Sequence, residues 1–284
     1  MLAAAMLKYL SILVISVFPA MLSAQPERLQ AVSAVEAEPD REREQRWRNE
    51  IEHTLLDGEP ITLTGADGNA FLGIYTEAAS DPVRGSVLLL HGRGFHPDWQ
   101  DVVHPLRVGL TESGWNTLSI QLPVLGKEAS YHDYLAVFPH ARPRIEAAIA
   151  RLRADAPGKI AILAHSCGAH MAQHWMLHAD PAALASFDAY VGIGMGATDV
   201  GQPMREPFPF ERLSVPVLDI YGDNDFRAVR LLAEVRRLQL ATSGHPHHAQ
   251  IIVPDSEHYF VNRSDVLTET IARWLNVVSE DSDH

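Results

Sequence analysis

Cysteine is nearly absent: Cys167 is the single one in 284 residues. An internal disulfide is thereby excluded, and stability must come from a core, which a hydrophobic content of 46% can supply. Positive charge is also scarce. Lys and Arg number 23 against 36 Asp and Glu, a formal net charge of −13. That balance argues against a nucleic-acid partner, because phosphate contacts need clustered cations. The apolar run after Lys8, residues 9–22, is about 14 residues long, short of the roughly 20 that span a bilayer. With Lys8 as the only charge and Ala24 as a small residue before Gln25, residues 1–24 instead fit a cleavable export signal. The expectation is a periplasmic or secreted protein with no stable membrane anchor after cleavage. Neither an internal repeat nor a low-complexity tract is present.

Beyond the signal the chain is patterned. Residues 25–57 form a charged extension whose Asp40-Arg41-Glu42-Arg43-Glu44-Gln45-Arg46-Trp47-Arg48 run reads as a solvated helix or a disordered linker. A β-hairpin is expected next, with arms at 61–64 and 71–75 around Gly65-Ala66-Asp67-Gly68-Asn69. From Ser86 onward, apolar strands at about 86–90, 116–120, 159–164, 188–194, 215–221 and 249–253 alternate with helical stretches at about 101–113, 141–154, 168–178, 226–240 and 264–277. Such alternation predicts an α/β domain over 58–278, a mainly parallel sheet with helices on both faces, ahead of an acidic tail at 279–284.

The chemistry concentrates at strand exits. Ala164-His165-Ser166-Cys167-Gly168 sits between a strand and a helix, the layout of a nucleophile elbow, in which only small side chains fit two before and two after the serine. Ala164 stands where glycine is commoner. An activated serine needs a base, and the base needs a carboxylate to fix its tautomer. Gly222-Asp223-Asn224-Asp225 closes one later strand, and Pro254-Asp255-Ser256-Glu257-His258 closes the next. Ser166, Asp225 and His258 therefore fall at the carboxyl ends of three strands, where open α/β sheets gather their ligands. Asp223 competes for the carboxylate role, and Asp219, inside a strand, is a weaker choice. After the strand at 86–90 comes His91-Gly92-Arg93-Gly94. The backbone N–H groups of Arg93 and Cys167 are candidate oxyanion donors, with Gly94 the alternative to Arg93.

Other constellations are set aside. A thiolate nucleophile at Cys167 would put His165 where only a small side chain fits. His170, His174 and His178 share a helical face at i, i+4, i+8, but there is no His-Glu-x-x-His and no acidic third ligand in register, so no metal site is expected. His245, His247 and His248 precede a strand and lie at the wrong end of the sheet. Gly192-Ile193-Gly194-Met195-Gly196-Ala197 has dinucleotide-like spacing without a following helix, and its glycines fit a turn beneath His258. Two long connections, 122–140 and 195–214, carry Tyr131, Tyr134, Phe138, Met204, Phe208 and Phe210. They are expected as pocket walls and a small lid, or else as loops packed on the body.

On His91-Gly92-Arg93-Gly94, the elbow, the 222–225 turn and His258, the chain resembles the α/β-hydrolase fold superfamily over about 58–278. Gly114-Trp115-Asn116-Thr117-Leu118 and His165-Ser166-Cys167-Gly168-Ala169-His170 look more narrowly like an exported bacterial branch whose members mostly lack an assigned substrate. The resemblance implies an α/β-hydrolase fold, no cofactor, and an acid three residues after the turn glycine, which selects Asp225. The expected protein is an exported serine hydrolase acting on a small-molecule acyl substrate, with Ser166, His258 and Asp225 catalytic and Arg93 and Cys167 forming the oxyanion hole. The other reading is a non-catalytic periplasmic binding or assembly protein that retains the fold. A sealed cleft, or side chains too far apart to hydrogen-bond, would favour that reading.

Overall fold

The computed structural model describes residues 37–155 and 158–280. The expected export signal, the first part of the charged extension and the last four residues of the tail lie outside these. Among the described residues the strands are β1 (Glu59–Thr64), β2 (Ala70–Thr76), β3 (Gly85–Leu90), β4 (Trp115–Ile120), β5 (Lys159–His165), β6 (Ala189–Ile193), β7 (Val217–Gly222) and β8 (Ala249–Val253). The α-helices are α1 (Arg41–Thr54), α2 (Val103–Gly109), α3 (Tyr131–Tyr134), α4 (Ala141–Asp155), α5 (Cys167–His178), α6 (Pro181–Leu184), α7 (Arg227–Ser243) and α8 (Ser264–Glu280). None is long and apolar enough to cross a membrane.

The strands form one sheet in the order β1-β2-β4-β3-β5-β6-β7-β8. β1 and β2 make the expected antiparallel hairpin, β2 runs antiparallel to β4, and every later pairing is parallel. Because a parallel sheet is covered on both faces, its central strands are buried throughout, and their apolar residues alternate in which core they serve. Leu88 and Leu90 of β3, with Ile160 and Ile162 of β5, face the core closed by α4 and α5. Val87 and Leu89, with Ala161 and Leu163, face the opposite core, closed by α2 and α8. The α/β architecture and the parallel sheet with its hairpin are as the sequence predicts.

Of the two forms expected for the charged run over 40–48, the helix is the one present, and one of its faces is anchored rather than solvated. Asp40 caps α1 by accepting the Arg43 N–H at 2.9 Å, and the helix lies on the sheet as part of the same compact unit. Ile51 packs with Leu72 and Ile74 of β2. Glu44 is buried against Arg144 of α4, with Arg144 Nη2 and Glu44 Oε2 3.0 Å apart. The Arg43 guanidinium donates to the Leu125 carbonyl at 2.6 Å and the Gly94 carbonyl at 3.2 Å. The anchored face is not legible in the sequence because the partners of Arg43 and Glu44 lie far along the chain.

Removing one member of a buried pair strands the other charge at a cost of about 3–5 kcal/mol. Glu44→Gln is therefore expected to lower the urea unfolding free energy by about that amount, whereas exposed Glu42→Gln changes it by less than about 0.5 kcal/mol. Equal effects of the two substitutions would show that α1 is not anchored through Glu44.

Candidate active site

Three parallel strands of the sheet, β5, β7 and β8, deliver the predicted residues to one place. Ser166 sits between β5 and α5 with φ 55° and ψ −121°, a conformation costly for a residue with a side chain and held only by its surroundings. Its N–H donates to the Ile193 carbonyl of β6 at 2.9 Å. Gly168 has no room for a side chain: a Cβ there would lie 2.3 Å from the His91 carbonyl oxygen and 2.8 Å from that of Leu90. The elbow is thus pressed against the end of β3, where the candidate oxyanion loop begins.

Asp225 follows β7 and His258 follows β8. The two loops are tied together, since the Asn224 N–H donates to the Ser256 carbonyl at 2.9 Å and the Ser256 N–H donates to Asp223 Oδ1 at 3.1 Å. Asp223 is therefore a turn brace. Asp219 is buried in β7 and paired with Arg236 at 2.7 Å, also a structural role. His258 Nδ1 lies 2.6 Å from Asp225 Oδ1, and His258 Nε2 lies 2.8 Å from Ser166 Oγ. A carboxylate only accepts, so Nδ1 carries the proton and Nε2 presents its lone pair to the serine hydroxyl. Gly194, with φ 60°, passes directly under the ring; a Cβ would meet His258 Cε1 at 2.9 Å. That is the turn expected from the glycine-rich stretch.

Ser166, Arg93 and Cys167 line one cavity of about 480 Å³. The Cys167 N–H heads α5 and has no acceptor inside the helix. Its thiol is buried, which pushes its pKa up to about 12, so it is a poor nucleophile. The Arg93 guanidinium is not free for substrate: it grips Asp199 through two bonds of 2.6 and 2.7 Å. Asp199 Oδ2 also accepts the Tyr131 N–H at 2.8 Å, so the loop after β6, α3 and the loop after β3 are locked together. The Arg93 bonds hold the Asp199 carboxyl below its ordinary value.

Further cavity residues escaped the sequence reading. Arg43 and Trp47 of α1 form one wall, with the guanidinium 4.5 Å from the Trp47 ring centre. A signal was present: Trp47, Ile51 and Leu55 recur at four-residue spacing, an apolar stripe within the charged run. Phe226 stacks on His258 at 4.0 Å, and Phe95, Trp99 and Tyr259 add aromatic surface. Of the two long connections, the first supplies Tyr131 and Tyr134 to the cavity, while Phe138, Phe208 and Phe210 belong to the core. The second connection therefore contributes Ala197, Thr198 and Asp199 as wall, and its aromatic stretch makes no lid.

Two more histidines brace the site. His91 Nδ1 lies 2.8 Å from the Gly92 carbonyl, while its Nε2 accepts the Leu122 N–H at 2.9 Å. With Nε2 occupied as an acceptor, the ring stays neutral. His165 Nε2 lies 3.0 Å from the His258 carbonyl and donates to it. His170, behind the site, pairs with the Tyr131 hydroxyl at 3.1 Å.

Residues 87–280 match the alpha/beta hydrolase family, and residues 4–141 match a family described as protein of unknown function (DUF3530). No curated protein matches the chain in sequence. Among solved structures, an alpha-beta serine hydrolase homologue from Coxiella burnetii is 15% identical with a TM-score of 0.55, covering 77% of this chain and 98% of that one. An α/β serine hydrolase without lid from Xanthomonas campestris is 17% identical with a TM-score of 0.56, covering 78% and 94%. A thermostable carboxyl esterase from Bacillus coagulans is 15% identical with a TM-score of 0.56, covering 79% and 99%. At these identities the likeness is one of fold.

Burial holds the pKa of His91, His165 and His170 down at about 3. Each folded-state value lies below the unfolded one of about 6.5. The stability each contributes is therefore complete above about pH 6.5 and is lost as pH falls toward 3, by roughly 2 kcal/mol per histidine at pH 5. Urea unfolding between about pH 7.5 and 5 should show this steep decline, and His170→Gln should remove about one proton from the slope. A stability that stays flat over that range would contradict the neutral assignment.

Proposed function

The chain belongs to the alpha/beta hydrolase family, and on that premise we propose that it is an exported serine hydrolase cleaving a carboxylic ester or a related acyl bond. The observation that carries the reading is the continuous hydrogen-bonded line Ser166–His258–Asp225 opening into a cavity. Ser166 Oγ attacks the acyl carbonyl while His258 Nε2 takes its proton. Asp225 steadies the imidazolium through Nδ1–H. The carbonyl oxygen becomes an oxyanion and draws on the N–H groups of Arg93 and Cys167, each such donor being worth about 100- to 1000-fold in rate. His258 then protonates the leaving group. Water, deprotonated by the same imidazole, releases the acyl group from Ser166.

Aromatic walls around a cavity of about 480 Å³ favour a substrate with an aromatic or modest acyl portion. An ester is supported by the carboxyl esterase among the fold relatives. Export rests on the pattern of residues 1–24. The features that would favour a non-catalytic role are both missing here: the cavity opens over Ser166, and the three side chains are within hydrogen-bond reach.

A fluorophosphonate probe is expected to label the folded protein, and Ser166→Ala or His258→Ala to abolish labelling. Turnover of p-nitrophenyl acetate and butyrate should fall about 10⁴-fold in Asp225→Asn, whose carboxamide cannot hold the imidazolium. Absence of labelling in folded wild-type protein would overturn the proposal. Trp47→Ala is expected to raise KM for these aromatic esters about tenfold with kcat unchanged, as loss of uniform binding does. An unchanged KM would remove α1 from the substrate site.

A further inference from the structure

His174 and His178 lie one turn apart on α5, with ring centres 4.4 Å apart and planes 39° from parallel. Sequence alone offers this pair no third ligand, because the acidic group arrives from another part of the chain. The connection after β6 lays Glu206 over the helix, with its Oε1 2.7 Å from His174 Nδ1. One donor atom from each of His174, His178 and Glu206 lies within 4.8 Å of the others.

The arrangement is built rather than accidental. The amide of Gln173, the residue before His174, donates to the backbone carbonyls of Glu206 and Pro207 at 3.0 and 2.9 Å. Glu206 is thus fixed on the helix by its main chain and leaves its carboxylate to face the imidazoles. His178 Nδ1 donates to the His174 carbonyl at 2.8 Å. That bond fixes the tautomer and leaves the lone pair on Nε2, as the outer partner of a metal-bound histidine commonly does. His178 is exposed and the other two are partly buried, so an ion can enter from solvent.

We propose that His174, His178 and Glu206 bind a divalent transition-metal ion, zinc in the first instance. Two imidazoles and one carboxylate suit zinc, cobalt, nickel or copper, whereas calcium and magnesium want oxygen donors throughout. Tetrahedral zinc with bonds of about 2.0–2.1 Å holds neighbouring donor atoms roughly 3.3 Å apart. The 2.7 Å pair must therefore open slightly as the ion replaces the hydrogen bond, while the three donor atoms, all within 4.8 Å of one another, need only side-chain adjustments to meet it. Water completes the coordination. The site lies on the flank of α5, away from its Ser166 end. The ion would pin the connection after β6, which also carries Asp199, to the helix that follows the elbow. Zinc binding here is independent of whether Ser166 is a nucleophile.

The test uses the full chain, stripped with chelator and titrated with zinc chloride by calorimetry, with cobalt absorption as the geometric readout. Saturable one-to-one zinc binding and tetrahedral cobalt bands are expected. At zinc about 100-fold above Kd, Tm should rise by about 5 °C. His178→Ala and Glu206→Gln, both at positions with solvent access, should each weaken zinc binding by about tenfold or more. His245→Ala, in the separate histidine cluster ahead of β8, should leave it unchanged. The proposal is overturned if wild-type protein shows no saturable binding. It is equally overturned if Glu206→Gln binds as tightly as wild type, or if His245→Ala abolishes the effect.

Discussion

The contact between Gly168 and the end of β3 is the constraint on which the rest of the site depends. With the Leu90 and His91 carbonyl oxygens where they are, no side chain can stand at position 168. Because the chain can close that tightly, α5 starts immediately beyond Ser166, and the serine is forced into its positive-φ conformation. The same contact brings the start of α5 beside the loop that carries Arg93. Candidate nucleophile and candidate oxyanion donors are thus positioned by a single packing event between two neighbouring parallel strands. The Ser166 N–H to the Ile193 carbonyl extends the arrangement one strand further, to β6. Backbone strain of this kind costs of order 1–3 kcal/mol and persists only where the surroundings over-determine it.

Around that contact, polar groups are held by partners that leave them one protonation state. His91 accepts an N–H, His165 donates to the carbonyl of His258, and both rings are neutral in a buried setting. A charged ring at either position would oppose an imidazolium on His258, whose ring lies 4.9 Å from that of His165. Arg93, which lines the same cavity as the serine, is neutralised by Asp199. The positive charge that would develop on His258 is therefore matched chiefly by Asp225, which is itself buried and bonded to it at 2.6 Å. In a low-dielectric pocket this isolation lets one carboxylate act on one imidazole.

Most of the fold was legible in the sequence because a parallel sheet leaves a strong trace. Its strands carry short apolar runs with little alternation, and helical stretches separate them at regular intervals. Ser166, Asp225 and His258 were legible for the same reason, since each ends a strand that the hydrophobic pattern already marks. The parts that were not legible depend on contacts between distant segments. Glu44 and Arg144 look like surface charges until α1 is seen lying across the sheet. Asp199 is an ordinary loop residue until the Arg93 guanidinium meets it. Phe208 and Phe210 resemble a lid in sequence, but they are core, because apolar loop residues say nothing about which side of the loop they cover.

Helix α1 changes what counts as the minimal functional unit. A catalytic apparatus read from the elbow, the Asp turn and the His loop would begin at β3, and 58–278 would seem sufficient. Yet Arg43 bonds the carbonyl of Gly94, inside the very loop that bears Arg93, and also that of Leu125. Trp47 closes the cavity on the same side. The buried Glu44–Arg144 pair then ties the helix to α4, beneath the wall it forms. Losing α1 would leave Arg144 unpaired, release the Gly94 carbonyl and open the cavity at once. The segment ahead of the hairpin therefore belongs to the candidate site as much as to the fold, held there by its charges together with the packing of Ile51 on β2.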